Sequence, residues 1–215
     1  MEIRTLLQKN RSYRRFEEDQ PVSEETLTEL VDLARYCPSG ANRQPLKYMV
    51  VSDRMLNAEI SDMLFWAKCL KDWPGPEPGE RPGGYIIILG DTEISHSFWG
   101  ECGIAAQTML LGAVERGLGG CMIGAVNRPE LCDLLQIPSR YEVMLVLALG
   151  VPKETVVVEE AVDPENTAYY RDEDGVHHVP KRPLAEVLLP VRTGRRSVVS
   201  MDEFETAEYS FAGES

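Results

Sequence analysis

Asn10-Arg11-Ser12-Tyr13-Arg14-Arg15-Phe16 and Pro38-Ser39-Gly40-Ala41-Asn42-Arg43-Gln44-Pro45 are the two stretches on which the reading of this 215-residue sequence turns. The first concentrates three arginines in a chain whose net charge is −13. Guanidinium groups make bidentate, charge-assisted hydrogen bonds to phosphate, and the Ser12 hydroxyl adds a neutral one. A solvated or salt-bridged surface run has the same composition. The second stretch combines small residues and prolines into a rigid turn whose backbone can approach a flat ring. Asn42 and Gln44 add amide donors and acceptors suited to a heterocycle edge. A plain helix–strand connector would use the same residue types.

Working outward, residues 2–9 read as a short helix ending near Asn10. Ser23 is a good N-cap, with Glu24 and Glu25 complementing the dipole of the first turn. Leu27, Leu30, Val31 and Ala34 follow at helical spacing, which predicts an amphipathic helix ending near Cys37-Pro38. Residues 48–52 read as a strand, 54–72 as a helix, and 73–84 (WPGPEPGERPGG) as a break that is either a linker or a mobile lid. A strand resumes at 85–89. Residues 97–116 form the most apolar helix, with small residues on most sides, which suggests burial against other helices or across a subunit boundary. GLGG (117–120) stops it. A short strand (121–126), a brief helix capped by Asn127 and a core strand (142–150) follow. Asp174-Gly175 marks a hairpin turn.

Composition narrows the function. An apolar fraction of 43% is that of a globular chain, and the acidic balance argues against nucleic acid, which needs a basic face. No apolar run approaches a membrane span, and the N-terminus lacks a secretory h-region. The five cysteines are scattered without a CxxC pair, so they read as small buried hydrophobes in a reducing cytoplasm. His177 and His178 would point to opposite faces of a strand, which disfavours a shared metal. GLGG follows a helix and precedes a strand, the reverse of a dinucleotide-binding glycine loop.

Together, in this order, the two stretches resemble the nitroreductase family of flavoproteins. The resemblance extends to GIAAQTMLLGAVERGLGGCMIG (103–124), ALGVPKE (148–154) and Lys181-Arg182-Pro183-Leu184. It implies an α+β fold: a mixed, mainly antiparallel sheet wrapped by helices, in an intertwined homodimer with FMN at the interface. Residues 1–190 would form the FMN-binding domain and 191–215 a C-terminal arm. By matching motif positions, Arg11, Ser12, Tyr13 and Arg14 fall in the segment that grips the FMN phosphate, with Lys181 and Arg182 completing the cage. Pro38, Ser39 and Gly40 match the ring-contacting turn, and Asn42 and Gln44 match polar positions beside it. Met122, Ile123 and Gly124 fall where the family places backbone donors near the flavin. Asn10 stands where many members have a further arginine, and Leu46 where an aromatic is frequent. Arg15 is read as facing solvent or an acidic neighbour. Lys68 is either a ligand to the pyrimidine edge or an exposed helical lysine.

The reaction implied is hydride transfer from NADH or NADPH to FMN, then reduction of an oxidised small-molecule acceptor of the nitroaromatic, quinone or flavin class. The flavin carries the chemistry and no protein nucleophile is needed. Alternatives sharing these motifs are a reductive dehalogenase, a dehydrogenase-type enzyme, or a non-catalytic FMN-binding protein. The substrate pocket is expected near Trp66, Trp73 and the proline-rich loop. Residues 191–201 are expected to pack on the partner subunit, and the distal acidic stretch to lie on the surface or stay mobile.

Overall fold

Strand β2 (Gly84–Asp91) is buried along its whole length, because Tyr85-Ile86-Ile87-Ile88-Leu89 offers apolar side chains to both faces. In the computed structural model, which describes residues 2–191, it stands inside a four-stranded sheet. Its partners are β1 (Leu46–Val51) and β4 (Tyr141–Gly150), and β4 in turn pairs with β3 (Gly119–Ile123), giving the order β1-β2-β4-β3. All three pairings are antiparallel. A single parallel bridge, Ser12 with Gly120, makes the sheet mixed.

Period-two alternation sorts the core into two layers. Ile86, Ile88, Leu147 and Leu149 face one way, with Met144, onto Leu27, Leu30 and Ala34 of α2 (Glu24–Ala34) and onto α4 (Trp99–Glu115). Tyr85, Ile87, Leu89, Val146 and Ala148 face the other way, onto Ile60 of α3 (Arg54–Asp62) and Leu131 of α5 (Arg128–Leu135). The register shift at Ile88/Leu89 leaves Met144 unopposed, and this bulge lets the sequence neighbours Met144 and Leu145 pack into the same layer. Helix α1 (Ile3–Lys9) precedes the arginine segment.

Several boundaries differ from the sequence reading. Helix α3 ends at Asp62 instead of residue 72, because the chain turns aside to pair with residues 125–127. Leu64 bridges Val126, Phe65 N–H donates to the Ala125 carbonyl at 2.9 Å, and Asn127 N–H donates to Met63 at 2.9 Å. Lys68 therefore does not lie on a helix. Ser23 caps α2 as expected, accepting from Thr26 N–H at 3.1 Å, but the helix closes at Ala34 through short turns to Tyr36 and Cys37. Asn127 precedes α5 without a side-chain cap bond. Strand β3 opens at Gly119, two residues earlier than read, and closes at Ile123.

The segment 73–83 has no regular structure, yet it is anchored. Trp73 meets Trp66 edge-on at 6.5 Å, Arg81 pairs with Asp62 at 2.9 Å, and Phe16 N–H donates to the Glu80 carbonyl at 2.9 Å. These ties make it a packed connector.

Strand β5 (Val156–Glu160) follows β4, and the described chain divides into two compact units. The larger comprises residues 2–157 and 169–178, including β6 (Tyr170–Arg171), which pairs antiparallel with the start of β7 (His177–Lys181) around Asp174-Gly175. The smaller comprises 158–168 and 179–191. There Ala161 N–H donates to the Lys181 carbonyl at 2.8 Å, and α6 (Leu184–Val187) follows. The expected arm over 191–201, like the acidic tail, lies outside the described residues apart from Val191. Among the described residues no helix is long and apolar enough to cross a membrane.

Gly120 decides whether the arginine segment can dock. A Cβ there would stand 2.7 Å from the Ala148 carbonyl oxygen and 2.7 Å from Leu110 Cδ2. Gly120→Ala should therefore destabilise the protein by roughly 1–3 kcal/mol, the usual range for overpacking. An unchanged urea midpoint would contradict this.

Candidate functional site

The arginine segment is held in place by backbone pairing. Tyr13 N–H donates to the Gly120 carbonyl at 3.0 Å, Glu17 N–H to Val151 at 2.9 Å, and Lys153 N–H to Arg15 at 2.9 Å. Phe16 is fully buried and acts as the anchor. The arginines, fixed in this way, differ in their partners. Arg15 Nε donates to Glu80 at 2.7 Å and the pair forms a bidentate ion pair, which holds the Glu80 carboxyl below its ordinary range. Arg15 is thus turned to an acidic neighbour, as read.

Arg11 and Arg14 have no such partner. Arg11 Nη2 donates to the Leu7 carbonyl at 2.6 Å, and its Nε is buried without an acceptor among the described residues. Burial pulls its pKa down, opposed by Tyr13 nearby. Arg14 Nη1 donates to the Ser12 carbonyl at 3.2 Å. Arg15, Arg35, Arg81, Arg116, Arg140 and Arg171 each meet a carboxylate. Among the described residues the guanidiniums of Arg11 and Arg14 meet none. Partly desolvated cations without a counter-ion favour an anion, so this pair with Ser12 between them fits a phosphate dianion.

The edge of β3 adds backbone donors. The Gly120 carbonyl points away from β4 toward Tyr13, and strand alternation puts the N–H and C=O of Met122 on that same edge. The Met122 side chain is exposed, Ile123 is buried, and Gly124 is exposed with its carbonyl taken by Arg128 Nη2 at 3.1 Å. Cys121 is buried beside Ser12 and Arg14, and burial pushes its thiol pKa up. It is a packing residue.

The second stretch is strained. Ala41, Asn42 and Gln44 all have positive φ, at 50°, 53° and 52°, a cluster of left-handed non-glycine residues. Three hydrogen bonds enforce it. Gln44 N–H donates to Ser39 Oγ at 2.8 Å, Gln44 Nε2 to Asn42 Oδ1 at 3.2 Å, and Gly40 N–H to Glu101 Oε1 at 2.9 Å on the first turn of α4. Pro38 and residues 40–44 are exposed. Strain concentrated in an exposed loop is what a ligand-contact turn shows.

These two clusters are anchored at separate points along α4. Gly40 touches Glu101 and Gly120 touches Leu110, and those helix positions are roughly 13 Å apart along α4. A ligand reaching both must be elongated or shared between two copies. Lys181 and Arg182 lie in the smaller unit, where Arg182 Nη1 donates to the Pro164 carbonyl. Trp66, expected near a substrate pocket, is buried in the core instead. Sequence reasoning missed Glu101, Glu154, Tyr169 and His177, which hold the two stretches in place. No local pattern marks them, since each gains its role from a distant backbone. Among the described residues no His, Cys, Asp and Glu group could hold a metal ion.

Known proteins resemble this chain in sequence and in fold. A family model described as the Nitroreductase family matches residues 7–151. A protein of Archaeoglobus fulgidus, provisionally named NADH dehydrogenase/NAD(P)H nitroreductase, is 28% identical over 153 residues, covering 67% of this chain and 83% of that protein. A Bacillus subtilis protein named FMN reductase, NAD(P)H, is 26% identical over 201 residues, covering 80% of this chain and 76% of that protein. The crystal structure of a nitroreductase family protein from Streptococcus pneumoniae shares the fold. Its TM-score is 0.62 at 17% identity, covering 76% of this chain and 97% of that one.

The strained loop generates a direct test. Ala41→Gly removes a left-handed alanine and should raise stability by roughly 0.5–1 kcal/mol. Alanine-to-glycine changes at exposed sites ordinarily do the opposite. A loss of that size in urea unfolding of the ligand-free protein would show that the loop stores no strain.

Proposed function

The chain belongs to the nitroreductase family, and we propose that it uses NAD(P)H and FMN to reduce an oxidised small molecule of the nitroaromatic, quinone or flavin class. It is an oxidoreductase by family. The observation that carries the FMN reading is the pair of carboxylate-free guanidiniums, Arg11 and Arg14, in a chain of net charge −13. A chain this acidic has every means to pair them internally, and it pairs Arg15 alongside.

When bound, FMN supplies the centre that accepts and passes on hydride. The residues of this chain hold and orient it. Arg11, Ser12 and Arg14 would bind the phosphate. Met122 N–H, on the open strand edge, would donate to the ring. The Ser39–Gln44 turn would lie against a ring face, its geometry fixed before binding by Glu101, so that little ordering cost falls on association. Because the turn and the arginines stand apart along α4, the reading includes a homodimer in which one copy supplies the arginines and its partner the turn. Trp99 and Ile104 on α4 are 62% and 44% exposed, and Ile3 and Leu7 on α1 are also exposed, which gives that dimer an apolar face. A cytoplasmic location fits this reading.

The purified protein should be yellow and release FMN on denaturation. Chromatography showing FAD, or no flavin after reconstitution, would sink the proposal. Arg11→Ala should weaken FMN binding by roughly 1.5–3 kcal/mol, the scale of hydrogen bonds to a charged group, whereas Arg15→Ala should cost less than about 1 kcal/mol. Equal losses in a fluorescence titration would place the phosphate elsewhere. Stopped-flow reduction with NADH and NADPH, then reoxidation by nitroaromatics, quinones, free flavin and halogenated phenols, identifies donor and acceptor. Light scattering at micromolar concentration should give a dimer, and a flavin-bound monomer would exclude the shared site.

A further inference from the structure

Behind Arg14 lies a buried polar cluster on the β6–β7 hairpin. His177 is fully buried, and its backbone N–H donates to the Thr155 carbonyl at 2.9 Å. Its Nε2 stands 3.3 Å from Arg14 Nη1. A guanidinium has no acceptor, so this contact is a hydrogen bond only when Nε2 is unprotonated and accepts. The ring proton then sits on Nδ1, which is buried and has no partner among the described residues. Burial, and then the charge of Arg14, pull the His177 pKa down to about 4, so the ring is neutral at neutral pH. The charged and titratable groups around it are Arg14, Glu154, Arg171, His178 and Tyr169.

Other contacts fix the same arginine. The Tyr169 ring lies under the Arg14 guanidinium at 4.8 Å and tilts against His177 at 5.2 Å. Glu154, whose side chain is 1% exposed, accepts from Arg14 N–H at 2.5 Å and from Arg171 Nη2 at 2.9 Å. Arg14 is therefore held by its backbone, by the face of its guanidinium and by one terminal nitrogen. Its Nε and Nη2 have no protein acceptor among the described residues. A long side chain fixed in this way loses less rotamer freedom when it closes on an anion.

We propose that His177 is a positioning residue for Arg14, a neutral acceptor that fixes one arm of the guanidinium on the Tyr169 ring so that the other faces the cofactor phosphate. The inference rests on the FMN reading above. It assigns a role to a buried histidine that neither touches the ligand nor transfers a proton.

Two substitutions separate aiming from filling. His177→Phe keeps a ring against Tyr169 and removes the acceptor, whereas His177→Gln removes the ring and keeps an acceptor. In FMN fluorescence titrations His177→Phe should weaken binding roughly tenfold and His177→Gln less than about threefold. A packing role predicts the reverse order, and that order would overturn the proposal. In an Arg14→Ala background His177→Phe should add no further loss, and an undiminished second loss would also overturn it. If His177→Phe does not fold, His177→Leu gives the same comparison. Failure of the wild-type protein to bind FMN would remove the functional reading and this inference together. Wild-type binding with both variants unchanged, or equally weakened, would remove this inference alone.

Discussion

The hydrogen bond from Tyr13 N–H to the Gly120 carbonyl is the contact on which the candidate site depends. It joins the arginine segment to the edge of β3, and with the Ser12–Gly120 bridge it fixes which side chains face out. Glycines make it possible. The Tyr13 ring lies where a Gly119 side chain would be, and Gly120 fits between the β4 backbone and Leu110. The helix stop GLGG therefore does more than end α4, since it opens the strand edge that receives residues 12–13. Phe16, buried two residues beyond Arg14, prevents the segment from sliding along that edge.

Electrostatics then separates two neighbouring arginines. Arg15 leans back onto Glu80 and ties the connector 73–83 to the sheet. Glu154, the acid at the Arg14 backbone, spends its oxygens on the Arg14 backbone N–H and on Arg171, and not on the Arg14 guanidinium. One buried acid thus fixes the main chain of Arg14 while leaving its side-chain charge uncompensated. The two adjacent arginines thus differ in whether a carboxylate meets the guanidinium, although the chain carries an excess of acid.

The turn 38–44 obeys a different constraint. Its left-handed residues persist because Ser39 Oγ and Glu101 capture backbone N–H groups that an extended connector would leave to water. The turn belongs to the start of α4 and the arginines to the strand after its end. Helix length therefore sets the spacing between them, and a rigid helix keeps that spacing constant.

Much of the architecture was legible in local patterns. The apolar run at 85–89 and the 142–150 run marked the two central strands. Ser23 marked the start of α2, and Asp174-Gly175 marked the hairpin, because caps, turns and periodicity act over a few residues. The order of the arginine stretch, the proline-bounded turn and GLGG carried the resemblance to the family. The sequence alone could not decide the end of α3, where pairing with residues 125–127 overrode helical propensity in the apolar run Met63–Ala67. It could not show that Trp66 is core, or that the connector after it is anchored. Local pattern alone could not distinguish Arg14 from Arg15, adjacent and chemically identical, and only the resemblance to the family separated them. Their difference comes from Glu80, Glu154, Tyr169 and His177, each brought from far along the chain. Local propensity is written in neighbouring residues, whereas the partner of a charge is chosen only when the folded backbone brings distant residues together.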